Sequence, residues 1–230
     1  MQAMLAQNIL GGGGGGPTPI AYTSVNGDIS GVTSAAINTT GANFIVLTIA
    51  QYTGFTSGGT LTDSKGNTWV ELANSDAVLT KTRLFYCEAP TVGSGHTFTF
   101  TSFGGSPSIA VAAFSGMITS GVSDQYNANN TGVSSWTTLN AGGSGITPSQ
   151  ANTLVVATLS FEYNSGAAIT IDSGYDTSPA PLVVPYNAPY DGHGCGLAWK
   201  ILTAASAQNP TWTTAASSNK GASILASFKY

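Results

Sequence analysis

Two histidines, two cysteines and ten acidic residues hold whatever acid–base, nucleophilic or metal-binding chemistry this chain can offer. A hydrolase needs a nucleophile beside a base, or two carboxylates placed across a cleft. His96 and His193 are the available imidazole bases. His96 stands in Gly95-His96-Thr97-Phe98-Thr99-Phe100-Thr101, an alternating stretch with aromatics inward and threonines outward. It is expected at an outward position with a surface or cross-strand role. His193 stands in Asp191-Gly192-His193-Gly194-Cys195-Gly196, where the glycines suit a tight turn or bulge. Cys195 nearby would make a thiol site only if the two side chains met in space. Cys87 and Cys195 read either as reduced core residues or as one disulfide tying two halves, and both readings stay open. No catalytic set is expected.

Metal and cofactor chemistry fares no better. Zinc wants about four converging Cys and His ligands, and no such set exists here. Asp63, Asp172 and Asp176 are conceivable calcium donors in turns, but an aspartate in a turn also caps its own backbone. The glycine run Gly11–Gly16 precedes no helix, so it is not a phosphate cradle. No cofactor and no metal is expected. Aromatic residues are the remaining candidates. Trp136, Tyr163, Tyr175, Tyr186 and Tyr190 fall in or near predicted loops, as on sugar-binding and protein-binding surfaces. The stretch from Pro179 to Tyr190 holds four prolines and reads as a stiff contact loop, or equally as a cover for a sheet end.

The composition bounds the partners. Only 7% of the residues are charged, the net charge is −4, and the six Lys and Arg do not cluster. A nucleic-acid partner is therefore not expected, because phosphates need basic neutralisation. No apolar run approaches the roughly 18 residues that would span a bilayer, so no membrane insertion is expected. The first ten residues lack the basic start and apolar core of a signal peptide, which implies synthesis in a cytoplasm without secretory export.

The elements that would position these residues read as strands. Thr, Val, Ile and aromatic runs are punctuated by Gly, Asn, Ser and Pro throughout. Strands are predicted near 20–25, 31–38, 43–52, 59–63, 67–73, 82–88, 96–102, 108–115, 134–139, 152–162, 167–172, 196–203, 210–214 and 222–229. The runs 43–50, 108–114 and 152–159 are almost continuously apolar, as in strands covered on both faces. Leu61–Trp69 is a hairpin built on Asp63-Ser64-Lys65-Gly66-Asn67, and Ile169-Thr170-Ile171-Asp172-Ser173-Gly174-Tyr175 is its weaker echo. Asn43 aligns with Asn152, Arg83–Cys87 with Leu197–Ile201, and Ile109 with Ile224. The expected fold is all-β, a single jelly-roll or Ig-like β-sandwich of two pseudo-repeated halves over 20–230. The span between Phe114 and Asn152, with its Asn127–Asn130 loop, reads as a crossover. Residues 1–19 form an extended arm. Its apolar tip carries Met1, Met4, Leu5, Ile9 and Leu10, followed by Gly11 to Gly16 and Pro17.

The order of these features resembles a β-sandwich module of bacterial surface proteins and phage virion proteins. The matching residues are the hairpin Thr62–Trp69, the aromatic strand Leu84–Tyr86, Gly95–Thr101 and Ile109–Gly116, then Asp124, Ala151–Val156 and Ala226–Lys229. The resemblance covers roughly 31–230 and leaves the first 19 residues outside. It implies a display unit rather than a shared reaction: a capsid decoration (cement) or fibre protein on a virion surface, fixed by residues 1 to about 19 to major capsid or tail proteins. A homo-oligomer or dense array would follow from the low surface charge. The alternative is a carbohydrate-binding adhesin that takes surface glycans through Trp136, Tyr186 and Tyr190.

Overall fold

The computed structural model describes residues 16–28, 30–52, 58–102, 105–132, 134–162, 168–172, 174–175, 182–184, 193–218 and 220–230. The first half carries β1 (Thr18–Asn26), β2 (Gly31–Thr33), β3 (Phe44–Tyr52), β4 (Gly59–Asp63), β5 (Val70–Ala77), β6 (Thr80–Glu88), β7 (Phe98–Ser102) and β8 (Ser108–Ser115). The second carries β9 (Ser123–Asn130), β10 (Trp136–Asn140), β11 (Thr153–Phe161), β12 (Ile169–Ile171), β13 (Leu182–Val184), β14 (Gly194–Leu202), β15 (Thr211–Ser218) and β16 (Gly221–Lys229). Every pairing between them is antiparallel.

The expected all-β sandwich is present, and its two halves share one topology. The first half forms a five-stranded sheet, β1-β8-β3-β6-β5, and a three-stranded sheet, β2-β7-β4. The second forms β9-β16-β11-β14-β13 and β10-β15-β12, the same orders advanced by eight strands. The two five-stranded sheets meet face to face, with each small sheet packed outside its own large one, so the sandwich stacks four sheets deep.

This stacking explains the apolar runs. In β3, Phe44, Val46 and Ala50 face the seam between the halves, while Ile45, Leu47 and Ile49 face the small sheet. In β11, Leu154 and Val156 face the seam, and Val155, Ala157, Leu159 and Phe161 face outward onto their own small sheet. Strands buried on both faces lose the apolar–polar alternation of a half-exposed strand. The small sheets keep it. Phe98 and Phe100 are fully buried, whereas Thr60, Thr62 and Thr101 point to solvent.

Five expectations shift. Leu61–Trp69 is not a hairpin: β4 pairs with β7 and β5 with β6, so the Asp63 turn carries the chain from the small sheet to the large one. The repeat is real, but its register differs by one residue: Phe44 corresponds to Leu154, and Phe114 to Phe228, because these are the residues that share the seam. A one-residue slip would exchange the two faces of each strand. The presumed crossover loop at Asn127–Asn130 is part of β9, an edge strand laddered to β16. Its polar sequence gives no strand signal; the ladder comes from β16. Asn127 and Asn129 each accept the following residue's amide at 2.9 Å, which satisfies those backbone donors. Part of the stiff Pro179–Tyr190 stretch forms β13 against β14. Finally, β1 starts at Thr18, so the last residues assigned to the arm already belong to the sandwich.

Candidate functional site

The Asp63 turn is the densest polar constellation in the first half. Gly66 takes a φ of 74°, which a residue with a Cβ adopts only with strain, and this lets the chain turn tightly from β4. Asp63 Oδ1 accepts the Lys65 amide at 2.7 Å and the Asn67 amide at 3.4 Å. Its Oδ2 accepts the Trp69 indole N–H at 2.7 Å. His96 Nε2 faces Oδ1 at 3.1 Å, and His96 Nδ1 bonds the Thr39 hydroxyl at 2.9 Å. Burial by itself would raise the Asp63 carboxyl. The donors from Lys65, Trp69, His96 and Asn67 outweigh it and hold the group below the usual carboxylate range. Burial pushes His96 down; Asp63 opposes that shift and Lys65 adds to it.

His96 therefore corrects the sequence expectation. It is fully buried and stacks on Phe98 at 4.3 Å between ring centroids. The signal was available: His96 shares parity with Phe98 and Phe100, the inward face. Thr39, His96 and Asp63 lie in line like a nucleophile, base and orienting acid, but Thr39 and His96 expose no surface, and Thr39 Oγ1 also accepts the Gly93 amide. The arrangement braces a turn.

The second half builds the same place from different groups. Gln208 pairs with Ile146 as His96 pairs with Ile37. The Tyr175 hydroxyl donates to Gln208 Oε1 at 3.0 Å, and Asp172 Oδ2 accepts the Thr211 amide at 2.9 Å. Tyr175 was expected among exposed loop aromatics; it is buried, and burial drives its hydroxyl pKa upward. Asp63 caps its own turn, Asp172 holds the Thr211 amide across the small sheet, and Asp176 lies outside the described residues. Among the described residues no three His, Cys, Asp or Glu side chains gather as a metal site.

The other candidates separate from one another. His193 is buried at the seam, where desolvation pulls its pKa down to about 4. Cys87 and Cys195 are free, buried thiols, not a disulfide. Burial raises the Cys87 thiol to about 11 and raises Cys195 as well. Trp136 corrects a further expectation: it lies in β10 and is buried, with Gly221 against its indole, so it offers no open stacking face. Tyr163, Tyr186 and Tyr190 lie outside the described residues. A cleft of about 540 Å³ opens beside Asp28, Ser30 and Thr33. Asp28 Oδ1 already accepts the Ser30 amide and hydroxyl, which keeps its carboxyl pKa low, and among the described residues no second titratable group lines the cleft.

What remains is the placement of chain ends and loops. Of the expected arm contacts, Met1, Met4, Leu5, Ile9, Leu10 and Gly11 lie outside the described residues. Pro17 is buried, and Gly16 is half-buried beside Tyr230, where a Cβ on Gly16 would stand 3.7 Å from the ring. Gly116, at φ 82°, passes so close to the Gly16 carbonyl that a Cβ there would stand 2.7 Å from its oxygen. The amide of Tyr230 donates to Asn152, and that of Asn43 to Phe114. The chain thus enters and leaves the sandwich at one pole. The opposite pole carries the contacts Tyr52–Gly105, Gly27–Pro107, Thr131–Gly221 and Glu162–Lys220.

No family model, no curated protein and no solved structure matched this chain in comparison. The class that the fold defines is an all-β protein of stacked antiparallel sheets.

Proposed function

We propose that the protein is a structural virion protein, a capsid decoration or fibre subunit, that is tethered by its N-terminal segment and presents its far pole to solvent. The observation that carries this reading is the polarity of the molecule. Gly16 and Tyr230 meet at one end, and the contacts Tyr52–Gly105, Gly27–Pro107, Thr131–Gly221 and Glu162–Lys220 gather at the other. A tether at the first pole leaves the second fully accessible. The groups able to do chemistry support a non-catalytic role: His96, His193, Cys87 and Cys195 are all buried, and Asp63 is spent on backbone and indole donors.

The test is deletion of residues 1–15, which leaves Pro17 and β1 intact. The expected product keeps its β-sheet circular dichroism and no longer incorporates into particles. Normal incorporation of the truncated chain refutes the tether. A second reading, glycan binding, draws on Tyr186 and Tyr190, which lie outside the described residues. Glycan-array binding that disappears in Tyr186→Ala/Tyr190→Ala would favour it.

A further inference from the structure

Among the described residues the two halves share no β-ladder. All backbone pairing of β1 to β8 stays within the first half, and all pairing of β9 to β16 stays within the second. Each half also owns a private core. Ile45, Leu47, Ile49, Phe98 and Phe100 close the first, and Leu159, Phe161, Ile171 and Trp212 close the second. One backbone bond crosses, from the Val78 amide to the Gly132 carbonyl at 3.3 Å, and the Ser75 hydroxyl donates to the Asn129 carbonyl. Otherwise the halves meet mainly through side chains, supplied from equivalent positions in pairs: Phe44 and Leu154, Val46 and Val156, Tyr86 and Trp199, Phe114 and Phe228.

The seam has the anatomy of an interface between partners. Its aromatic centre packs Phe44 against Phe228 at 4.9 Å, Tyr86 against Phe228 at 5.5 Å, and Phe114 edge-on to Trp199 at 5.3 Å. Toward the free pole it turns to hydroxyls, with Thr82 bonding Thr158 at 3.3 Å and Thr80 bonding Ser160. An apolar, charge-poor centre bordered by paired polar groups is how permanent dimer interfaces are built, and matched contributions from two like surfaces are what a two-fold dimer shows. The connection between the halves is slight. Ile118, Thr119 and Ser120 are exposed, while Met117 is pinned to Asn43 and Gly121 to Glu88.

We infer that the seam is a dimer interface made intramolecular: each half is a complete folding partner, and the halves recognise each other without the connecting chain. This rests on the packing alone and is independent of the display reading. The experiment places a specific protease site between Thr119 and Ser120 of the full chain. After cleavage the sample is expected to elute as one species at the uncut volume. The halves are then separated in denaturant, refolded alone and remixed. Each should regain β-sheet circular dichroism, and mixing should restore one 1:1 complex. Ala226→Glu, which sets a charge in the seam, should move the cut sample to the later elution volume of the single halves, which are nearly equal in length. Separation on cutting, failure of either half to fold alone, or folded halves that do not recombine would each overturn the inference. Should the inserted site itself prevent folding, a permutant serves with the same readouts. It starts at Ser120, ends at Thr119, and joins Tyr230 to Gly16 through a cleavable link.

Discussion

Asp63→Asn is the most informative single change, because it preserves size while removing the charge and turning one acceptor oxygen into a donor NH2. Both oxygens of Asp63 face donors: the Lys65 amide at 2.7 Å and His96 Nε2 at 3.1 Å on one, the Trp69 indole at 2.7 Å on the other. Asparagine offers one carbonyl oxygen and one NH2 group, so either Trp69 or the Lys65 amide must face a donor. A hydrogen bond to a charged group contributes about 1.5–3 kcal/mol, and a buried donor left unmet costs about 1–3 kcal/mol. With the Asp63 side chain fully buried, the loss should reach about 3–5 kcal/mol. Asp172→Asn is the internal control, since Asp172 is exposed and meets the Thr211 amide at 2.9 Å; its loss should stay near ~1 kcal/mol. Denaturant titration followed by circular dichroism measures both. Hydrogen exchange over residues 63–69 reports whether the loss begins at the turn. A loss below ~1 kcal/mol for Asp63→Asn, or equal losses at the two sites, would refute the accounting.

Phe228→Ala, at the aromatic centre of the seam, should cost about 3–5 kcal/mol in the same titration, as large-to-small changes in close-packed cores do. The pH dependence follows from His193. Its folded pKa of about 4 lies below the ordinary 6.5, so between those values the unfolded chain takes up a proton and the folded one does not. Stability is complete above 6.5 and should fall by up to ~3 kcal/mol as pH drops toward 4; His96, also lowered, acts in the same direction. Thermal melts across pH 4–8 check this, and His193→Gln should remove its share of the slope. Asp63 adds a separate acid limb: its support is present above its ordinary 3.8 and is lost as pH falls below that value. Thiol titration should find both Cys87 and Cys195 unreactive in the native protein and both reactive in denaturant, with no change on adding reductant.

The sequence by itself determined most of the strands, the turns and the existence of the repeat. Phe98, Phe100 and the threonines between them specify an inner and an outer face, and Asp63, Gly66 and Asn67 specify a turn, because these are local properties of side-chain periodicity and backbone geometry. The second Asp turn at Asp172 was legible in the same way. Tertiary structure alone decided which face of β3 and β11 meets which neighbour, since a strand apolar on both faces carries no parity to read. It also made strands of Asn127–Asn130 and Leu182–Val184, whose ladders depend on β16 and β14 and not on their own composition. The burial of Trp136 and Tyr175 was settled the same way. Whether an aromatic near a turn faces solvent depends on the sheet stacked above it, and that sheet comes from residues far along the chain.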